Sequence, residues 1–150
     1  MPQFSQTSID RLTTCHRDLW TLFHHVIQFV DCTVVCGFRT KADQEKAFDA
    51  GLSKVHYPGT HSTKPSIACD VAPFEGTSID WGKLQSAWFA GYVMGVADRL
   101  YKIGTISHRI RSGADWDMDH DVDDTTFWDP THFELILSDE EKQIVKYYEN

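Results

Sequence analysis

Hydrophobic residues recur at helical spacing in two long segments of the chain. From Ser8 to Val30 the apolar positions fall three or four residues apart, which predicts an amphipathic helix. The same spacing predicts a second long helix from Trp81 to Tyr101. This second segment is apolar around much of its circumference. We therefore expect it to be central, with the stripe that carries Trp88 and Tyr92 packed in the core.

Four shorter segments are β-branched or alternate apolar and polar residues, and each predicts a strand. They are residues 33–36, 67–72, 106–110 and 132–137, and Pro73 is expected to end the second. Shorter helices are predicted over 41–50 and after Ser138, which forms a capping-box pattern with Glu141. Strands scattered among helices without a βαβ repeat predict an α+β fold. We expect one domain over residues 1–150, with a small antiparallel sheet packed against the two long helices.

Composition and charge indicate a soluble globular protein and argue against a membrane, secreted or nucleic-acid-binding one. The chain has 150 residues, of which 41% are hydrophobic and 24% charged, as in one soluble globular domain. No apolar run approaches the ~18 residues of a membrane span, and the N-terminus lacks the pattern of a secretory signal. A net charge of −8 argues against nucleic-acid binding. The four cysteines lack framework spacing, which predicts free, buried thiols in a reducing compartment.

The negative charge is concentrated in one loop. Seven aspartates fall between Asp115 and Asp129, and no Lys or Arg occurs between Arg111 and Lys142. Alternating acids are typical of the start of a calcium loop, whose positions 1, 3 and 5 supply oxygen ligands. The full EF-hand pattern fails, so a solvated acidic loop is the alternative. The predicted calcium ligands, which would make calcium a regulator, are Asp115, Asp117, Asp119, Asp121 and Asp123.

Several histidines and acids could form a catalytic metal site. His61 precedes Asp70 by nine residues, and Asp129 precedes His132 by three. Imidazole and carboxylate groups are zinc ligands, and three protein ligands leave an open coordination position, as in catalytic sites. Asp129 would then lie close enough to act as a general base. From the residues alone, the alternative is that these are ordinary surface histidines and loop acids.

Four sequence blocks, in order, carry a family resemblance. The chain resembles the zinc peptidoglycan peptidases of the D-alanyl-D-alanine carboxypeptidase and L-alanyl-D-glutamate endopeptidase superfamily, and most of all the small phage endolysins. The blocks are CGFRT at 36–40 with Gln44 and Gly51, His61 with PSIACDVAP at 65–73, SGADW at 112–116, and DPTHFE at 129–134. The chain departs from the family's usual residues at Gly59, Ser62 and Ala114.

The resemblance implies a set of roles. His61, Asp70 and His132 would bind Zn²⁺, Asp129 would act as the base, and Arg39 would stabilise the oxyanion. The implied function is hydrolysis of a stem-peptide bond of peptidoglycan, L-alanyl-D-glutamate, causing lysis of a bacterial host. Two alternatives stay open: a D-alanyl-D-alanine carboxypeptidase or dipeptidase, and a metal-stabilised module that binds the cell wall without cutting it.

Further expectations concern partners and location. Peptidoglycan is the expected partner, with no nucleic acid and no insertion into a membrane. We expect a monomer without a separate wall-binding domain. Such an enzyme would stay in the host cytoplasm until a separate protein opens the membrane.

Overall fold

Helices and strands alternate irregularly along the chain, as the sequence predicts for an α+β fold. The computed structural model describes residues 1–150 as one compact domain. The helices are α1 (Gln6–Thr13), α2 (Arg17–Val26), α3 (Lys41–Asp49), α4 (Lys83–Lys102) and α5 (Asp139–Ile144). The strands are β1 (Cys32–Cys36), β2 (Ala68–Glu75), β3 (Ser78–Ile79), β4 (Ile110–Gly113) and β5 (Asp129–Leu135). No helix is both long and apolar enough to cross a membrane.

The sheet is antiparallel throughout, with the order β1-β2-β5-β4, and β3 extends β2 as a short hairpin. Successive residues of a strand point to opposite faces, so one face can bury a core while the other carries polar groups. Phe133 of β5 is fully buried and packs edge-on against Phe23 and Phe89, with ring centroids 5.4 and 6.3 Å away. Its neighbours His132 and Glu134 belong to the opposite face, where the polar site lies.

The first predicted helix is in fact two helices, because the chain between them pairs with another segment. His16 donates its backbone N–H to the carbonyl of Ser66 (2.8 Å), and Ser66 donates to the carbonyl of Thr14 (2.9 Å). The His16 side chain then accepts a hydrogen bond from the backbone N–H of Asp18 and caps α2. The hydrophobic spacing continues across the break because the apolar residues of both helices are buried in the same core.

The predicted core stripe of α4 is correct only in part. Trp88 is 52% exposed and Leu84 is 87% exposed, whereas Phe89 and Val93 are fully buried. Tyr92 is half-buried and packs against the core, and Trp88 stacks on it. Because the helix is apolar on more than one side, its sequence period does not say which side meets the sheet.

Two strand predictions also need correction. β2 continues through Pro73 to Glu75, because the Pro73 carbonyl still accepts from Asp80 and its neighbour Phe74 donates to Asp31. The strand predicted over 106–110 begins only at Ile110. The backbone N–H groups of Ser107 and His108 donate to the Asp18 carboxylate, so they cannot pair with a neighbouring strand.

Other local predictions are confirmed. α3 occupies the segment predicted over 41–50, and Ser138 forms the predicted capping box at the start of α5. All four cysteines are free; Cys15, Cys32 and Cys69 are buried, and Cys36 is half-buried.

Candidate active site

Two adjacent strands and one turn bring the predicted metal ligands together. Asp70 on β2 lies opposite Cys36 of β1 on one side and His132 of β5 on the other. His61 comes from the short 3₁₀ turn Thr60–Ser62 and reaches the same face of the sheet. The side chains of His61 and His132 are almost completely buried, and that of Asp70 is 14% exposed.

The three candidate ligand atoms form a nearly equilateral triangle. The Nε2 atom of His61 lies 3.2 Å from Asp70 Oδ1 and 3.3 Å from His132 Nδ1, and the last two atoms are 3.2 Å apart. In a tetrahedral zinc site with ligands at ~2.0 Å, neighbouring ligand atoms lie roughly 3.3 Å apart. The residues therefore fit one face of a zinc tetrahedron and leave the fourth direction open.

Each histidine is oriented by a hydrogen bond from its other ring nitrogen. His61 Nδ1 donates to the carbonyl of Gly37 (2.8 Å), and His132 Nε2 donates to Glu134 Oε2 (2.8 Å). Such bonds orient the ring and, once a metal has displaced the second proton, direct the remaining nitrogen at the metal. The histidines are thus prepared as ligands by their surroundings.

Only glycine fits at position 37, whose carbonyl orients His61. A Cβ atom at Gly37 would lie 2.3 Å from both the Arg11 carbonyl oxygen and the Thr14 hydroxyl. The close approach lets the end of α1 support the carbonyl that orients His61. This is the physical reason for glycine in the CGFRT block.

Opposite charges hold the buried triad together. Burial by itself would lower the pKa of His61, but the Asp70 carboxylate raises it to about 10. Burial would raise the pKa of Asp70, and the two histidines lower it far below its usual range. A divalent cation bound to the Asp70 carboxylate and the two imidazoles would replace the histidine protons on binding.

Glu134 is a site residue to which sequence reasoning assigned no role. It is 5% exposed, accepts from His132, and forms an ion pair with Arg111 of β4, its register partner. Burial opposes ionisation, yet these two partners lower the pKa of Glu134 to about 2. The signal in the sequence is its position two residues after His132, which places both side chains on one face of a strand.

Arg39 is fixed between two partners. Its Nη2 atom donates to Asp70 Oδ2 (3.0 Å), and its Nη1 atom donates to Gln44 Oε1 (3.1 Å). The structure therefore places Arg39 against a candidate metal ligand. The guanidinium of Arg39 has five N–H donors, and these two hydrogen bonds use only two of them. The remaining N–H groups are available to a substrate.

Gln44 of α3 is the second residue whose role sequence reasoning missed. It is 1% exposed, and its amide nitrogen donates to Ser53 Oγ (2.9 Å) and to the Val55 carbonyl (2.8 Å). Gly59 packs directly over it. Gln44 thus connects Arg39 to the loop that follows α3.

Asp129 lies beside the triad, as its predicted role requires. Its carboxylate, that of Asp70 and a ring nitrogen of His132 all lie within 4.8 Å of one another. The Thr131 hydroxyl donates to Asp129 Oδ1 (3.1 Å). Burial, and then the charge of Asp70, raise the pKa of Asp129. A carboxylate with a raised pKa is a better proton acceptor.

The site opens into a groove. A cavity of about 520 Å³ contains the triad, Arg39 and Asp129. A second cavity, also of about 520 Å³, adjoins it, and both are lined by Arg111, Trp116 and Tyr147. A chain bound at the site can therefore extend into the adjoining cavity.

Three further groups of potential metal-ligand side chains exist, one of them in the acidic loop. Cys36, predicted as a buried thiol, lies within 4.8 Å of the ligand atoms of His61 and Asp70. A group away from the site consists of His16, Asp18 and His108. There the His108 ring already bonds Asp18 Oδ2 (2.7 Å) and Glu141 Oε1 (2.9 Å), so hydrogen bonding within the protein accounts for its position.

Only some of the carboxylates of the acidic loop lie close together. Ligand atoms of Asp115, Asp117 and Asp119 lie within 4.8 Å of one another, and Asp115 accepts from the backbone N–H groups at 119 and 120. Asp121 accepts from the backbone of the next aspartate, and Asp123 pairs with Lys83 (2.8 Å). Of the five predicted calcium ligands, the structure therefore brings three together.

Comparisons with known proteins agree with this architecture. The family model described as phage L-alanyl-D-glutamate peptidase matches residues 1–136. The L-alanyl-D-glutamate peptidase of Escherichia phage T5 is 27% identical over 139 residues, which cover 89% of this chain and 98% of that protein. The crystal structure of the L-Ala D-Glu endopeptidase ChiX of Serratia marcescens shares the fold, with a TM-score of 0.67 at 22% identity. That match covers 89% of this chain and 90% of ChiX. Since the family model spans all four sequence blocks and every predicted catalytic and metal-binding residue, the chain belongs to the phage L-alanyl-D-glutamate peptidase family.

Proposed function

We propose that this peptidase hydrolyses the L-alanyl-D-glutamate bond of peptidoglycan stem peptides with one bound zinc ion. The observation that carries the proposal is the triangle formed by His61 Nε2, Asp70 Oδ1 and His132 Nδ1, with Asp129 beside it. A zinc ion held by these atoms would supply Lewis-acid polarisation of the scissile carbonyl and acidify a water molecule. The match to the phage L-alanyl-D-glutamate peptidase family favours an endopeptidase over a carboxypeptidase.

The chain's own residues would carry the proton and the charge. Asp129 would accept a proton from the attacking water, whose oxygen bonds to the carbonyl carbon. When the C–N bond breaks, Asp129 would return that proton to the leaving amine. Arg39 would hold Asp70 in place and offer its remaining N–H groups to the developing oxyanion. Glu134 and the Gly37 carbonyl would keep the two histidines in the tautomers that bind a metal.

The activity test uses purified sacculi and zinc-loaded protein, with the new termini identified by mass spectrometry. We expect new N-terminal D-glutamate. Release of D-alanine would indicate the carboxypeptidase alternative, and binding without new termini would indicate a wall-binding module. Asp129→Asn should retain one zinc per chain but lose roughly 10²–10⁴-fold in rate, the usual contribution of a general base. His132→Ala should lose zinc, whereas Asp98→Asn, on the exposed side of α4, should change neither property.

We further propose that cleavage lyses the host bacterium from within, after another protein opens the membrane. Expression in a bacterium should leave turbidity unchanged until the membrane is permeabilised, and turbidity should then fall. The Asp129→Asn variant is the matched control and should give no fall. Lysis before permeabilisation would contradict this order of events.

We also propose that the acidic loop binds calcium and thereby adjusts the site. The support is the cluster of Asp115, Asp117 and Asp119 and the position of Trp116, whose ring centroid lies 5.3 Å from that of His132. Calorimetric titration of zinc-loaded protein with CaCl₂ should release or absorb heat, and Asp117→Asn should abolish it. Cleavage should rise with calcium and fall with a calcium-selective chelator. No heat at millimolar calcium, with unchanged cleavage, would reject this role.

A further inference from the structure

Three cationic side chains line the active-site cavity, and only one has no acidic partner. Arg39 pairs with Asp70, and Arg111 pairs with Glu134. Lys54, from the loop after α3, forms no ion pair in the structure. Its Nζ atom lies 5.2 Å from the centre of the ring of Phe127, which also lines the cavity. Lys54 is therefore free to meet an anion that enters the cavity.

The backbone at Lys54 is held in place although the lysine side chain is exposed. The two residues that flank it, Ser53 and Val55, both accept hydrogen bonds from the buried amide of Gln44. Gln44 in turn bonds Arg39, which contacts the candidate metal ligand Asp70. A fixed backbone reduces the entropy lost when the lysine binds a partner.

The proposed substrate brings an anion to this cavity. Glutamate has two carboxyl groups, and a glutamate inside a peptide chain uses only one of them to bond the next residue. The other stays a free carboxylate on the amine side of the scissile bond. Arg39 and Arg111 already pair with Asp70 and Glu134, whereas Asp129 has no cationic partner. A further carboxylate beside Asp129 is unfavourable unless another cation compensates its charge.

Lys54 lines the same cavity as Asp129, the residue proposed to return a proton to the leaving amine. The Phe127 ring that the Lys54 ammonium faces lies two residues before Asp129 in the chain. A cavity of 520 Å³ is about 10 Å across if it is taken as a sphere, and one extended residue spans about 3.5 Å. A carboxylate one residue from the scissile bond thus stays within the same cavity.

We propose that Lys54 binds the free carboxylate of the glutamate whose amine is released. It would make the enzyme selective for stem peptides in which this carboxylate is not amidated. This inference rests on the proposed function, since that function supplies the glutamate. Lys54 is a specificity-determining residue in this proposal and takes no part in the bond cleavage.

The test compares two synthetic peptides that contain L-alanyl-D-glutamate and differ only in a free or an amidated carboxylate. The native enzyme should cleave the carboxylate peptide with a kcat/KM about tenfold higher, as is typical of one charge-assisted hydrogen bond. Lys54→Met should lose that preference by slowing the carboxylate peptide alone, and Lys54→Arg should keep it. Lys102→Met, in the last turn of α4 and exposed, is the matched control and should behave as native. A native enzyme without preference, or a preference unchanged in Lys54→Met, overturns the proposal.

A binding measurement separates failure of this inference from failure of the proposed function. The Asp129→Asn variant, with and without Lys54→Met, is titrated with both peptides by calorimetry. We expect about tenfold tighter binding of the carboxylate peptide, and loss of that difference in the double variant. If the native enzyme cleaves neither peptide, the proposed function is wrong, and the binding ratio alone still decides the role of Lys54. Equal binding of both peptides to Asp129→Asn would reject it.

Discussion

Replacing Gln44 by methionine tests whether a residue distant from the chemistry holds the site in shape. Methionine has a similar length and volume but cannot donate a hydrogen bond. The substitution removes the bonds to Ser53 Oγ, to the Val55 carbonyl and to Arg39. Because Gln44 is 1% exposed, water cannot readily replace those bonds without moving the loop.

The expected size of the effect follows from the three bonds. A neutral hydrogen bond contributes about 1 kcal/mol to stability and one to a charged group about 1.5–3 kcal/mol. The sum is about 3.5–5 kcal/mol, and rearrangement of the loop should recover part of it. We therefore expect a loss of about 3 kcal/mol in the free energy of unfolding. Arg39 would also lose one of its two anchors, which should weaken zinc binding about tenfold through Asp70.

The assay is urea unfolding of the metal-free protein, together with zinc competition against a chromogenic chelator. Gln143→Met is the matched control, since Gln143 lies exposed in α5. The reasoning would be refuted if Gln44→Met unfolded within about 0.5 kcal/mol of Gln143→Met, the range of ordinary surface substitutions. Unchanged zinc affinity together with a large stability loss would limit Gln44 to holding the loop.

Three other substitutions test separate parts of the molecule. Burial lowers the pKa of His108, but the hydrogen bond that its ring donates to Asp18 outweighs burial and raises it. The stabilisation by His108 is therefore complete below about pH 6.5 and disappears as the pH rises through the raised pKa. The pKa of Asp18 is lowered despite burial, so its own contribution is present above about pH 4. His108→Gln should therefore destabilise the protein more at pH 6 than at pH 9 in urea unfolding, and an equal loss at both pH values would contradict the pair. Phe133→Ala should cost about 3–5 kcal/mol in the same assay, whereas Phe29→Ala, at a side chain 76% exposed, should change stability little. Arg39→Lys should lower kcat more than it raises KM if the guanidinium acts on the oxyanion, and the opposite pattern would make it a ground-state clamp.

Sequence patterns a few residues long predicted the helices and turns whose stability depends on neighbouring residues. The capping box at Ser138 and the helix over 41–50 depend on residues within a few positions of one another. Alternation likewise placed His132 and Phe133 on opposite faces of one strand, whatever the strand packs against. The site residues His61, Asp70, Asp129 and His132 were identified because their motifs occur in a fixed order along the chain.

Long-range contacts decided where those local signals failed. The first helix breaks at His16 because Ser66, fifty residues later, pairs with its backbone. The segment before Ile110 is not a strand because the carboxylate of Asp18 takes two of its backbone N–H groups. In both cases a distant partner offers a hydrogen bond that competes with the local pattern.

The sequence by itself determined the fold class and which side chains are able to bind a metal or accept a proton. Only the tertiary structure decided their spacing, since Asp70 meets His132 through the register of two strands and His61 through a turn. It also decided which residues support them. Gln44 and Glu134 carry ordinary polar side chains, and their roles exist only because folding buries each beside a charged partner, where water no longer competes.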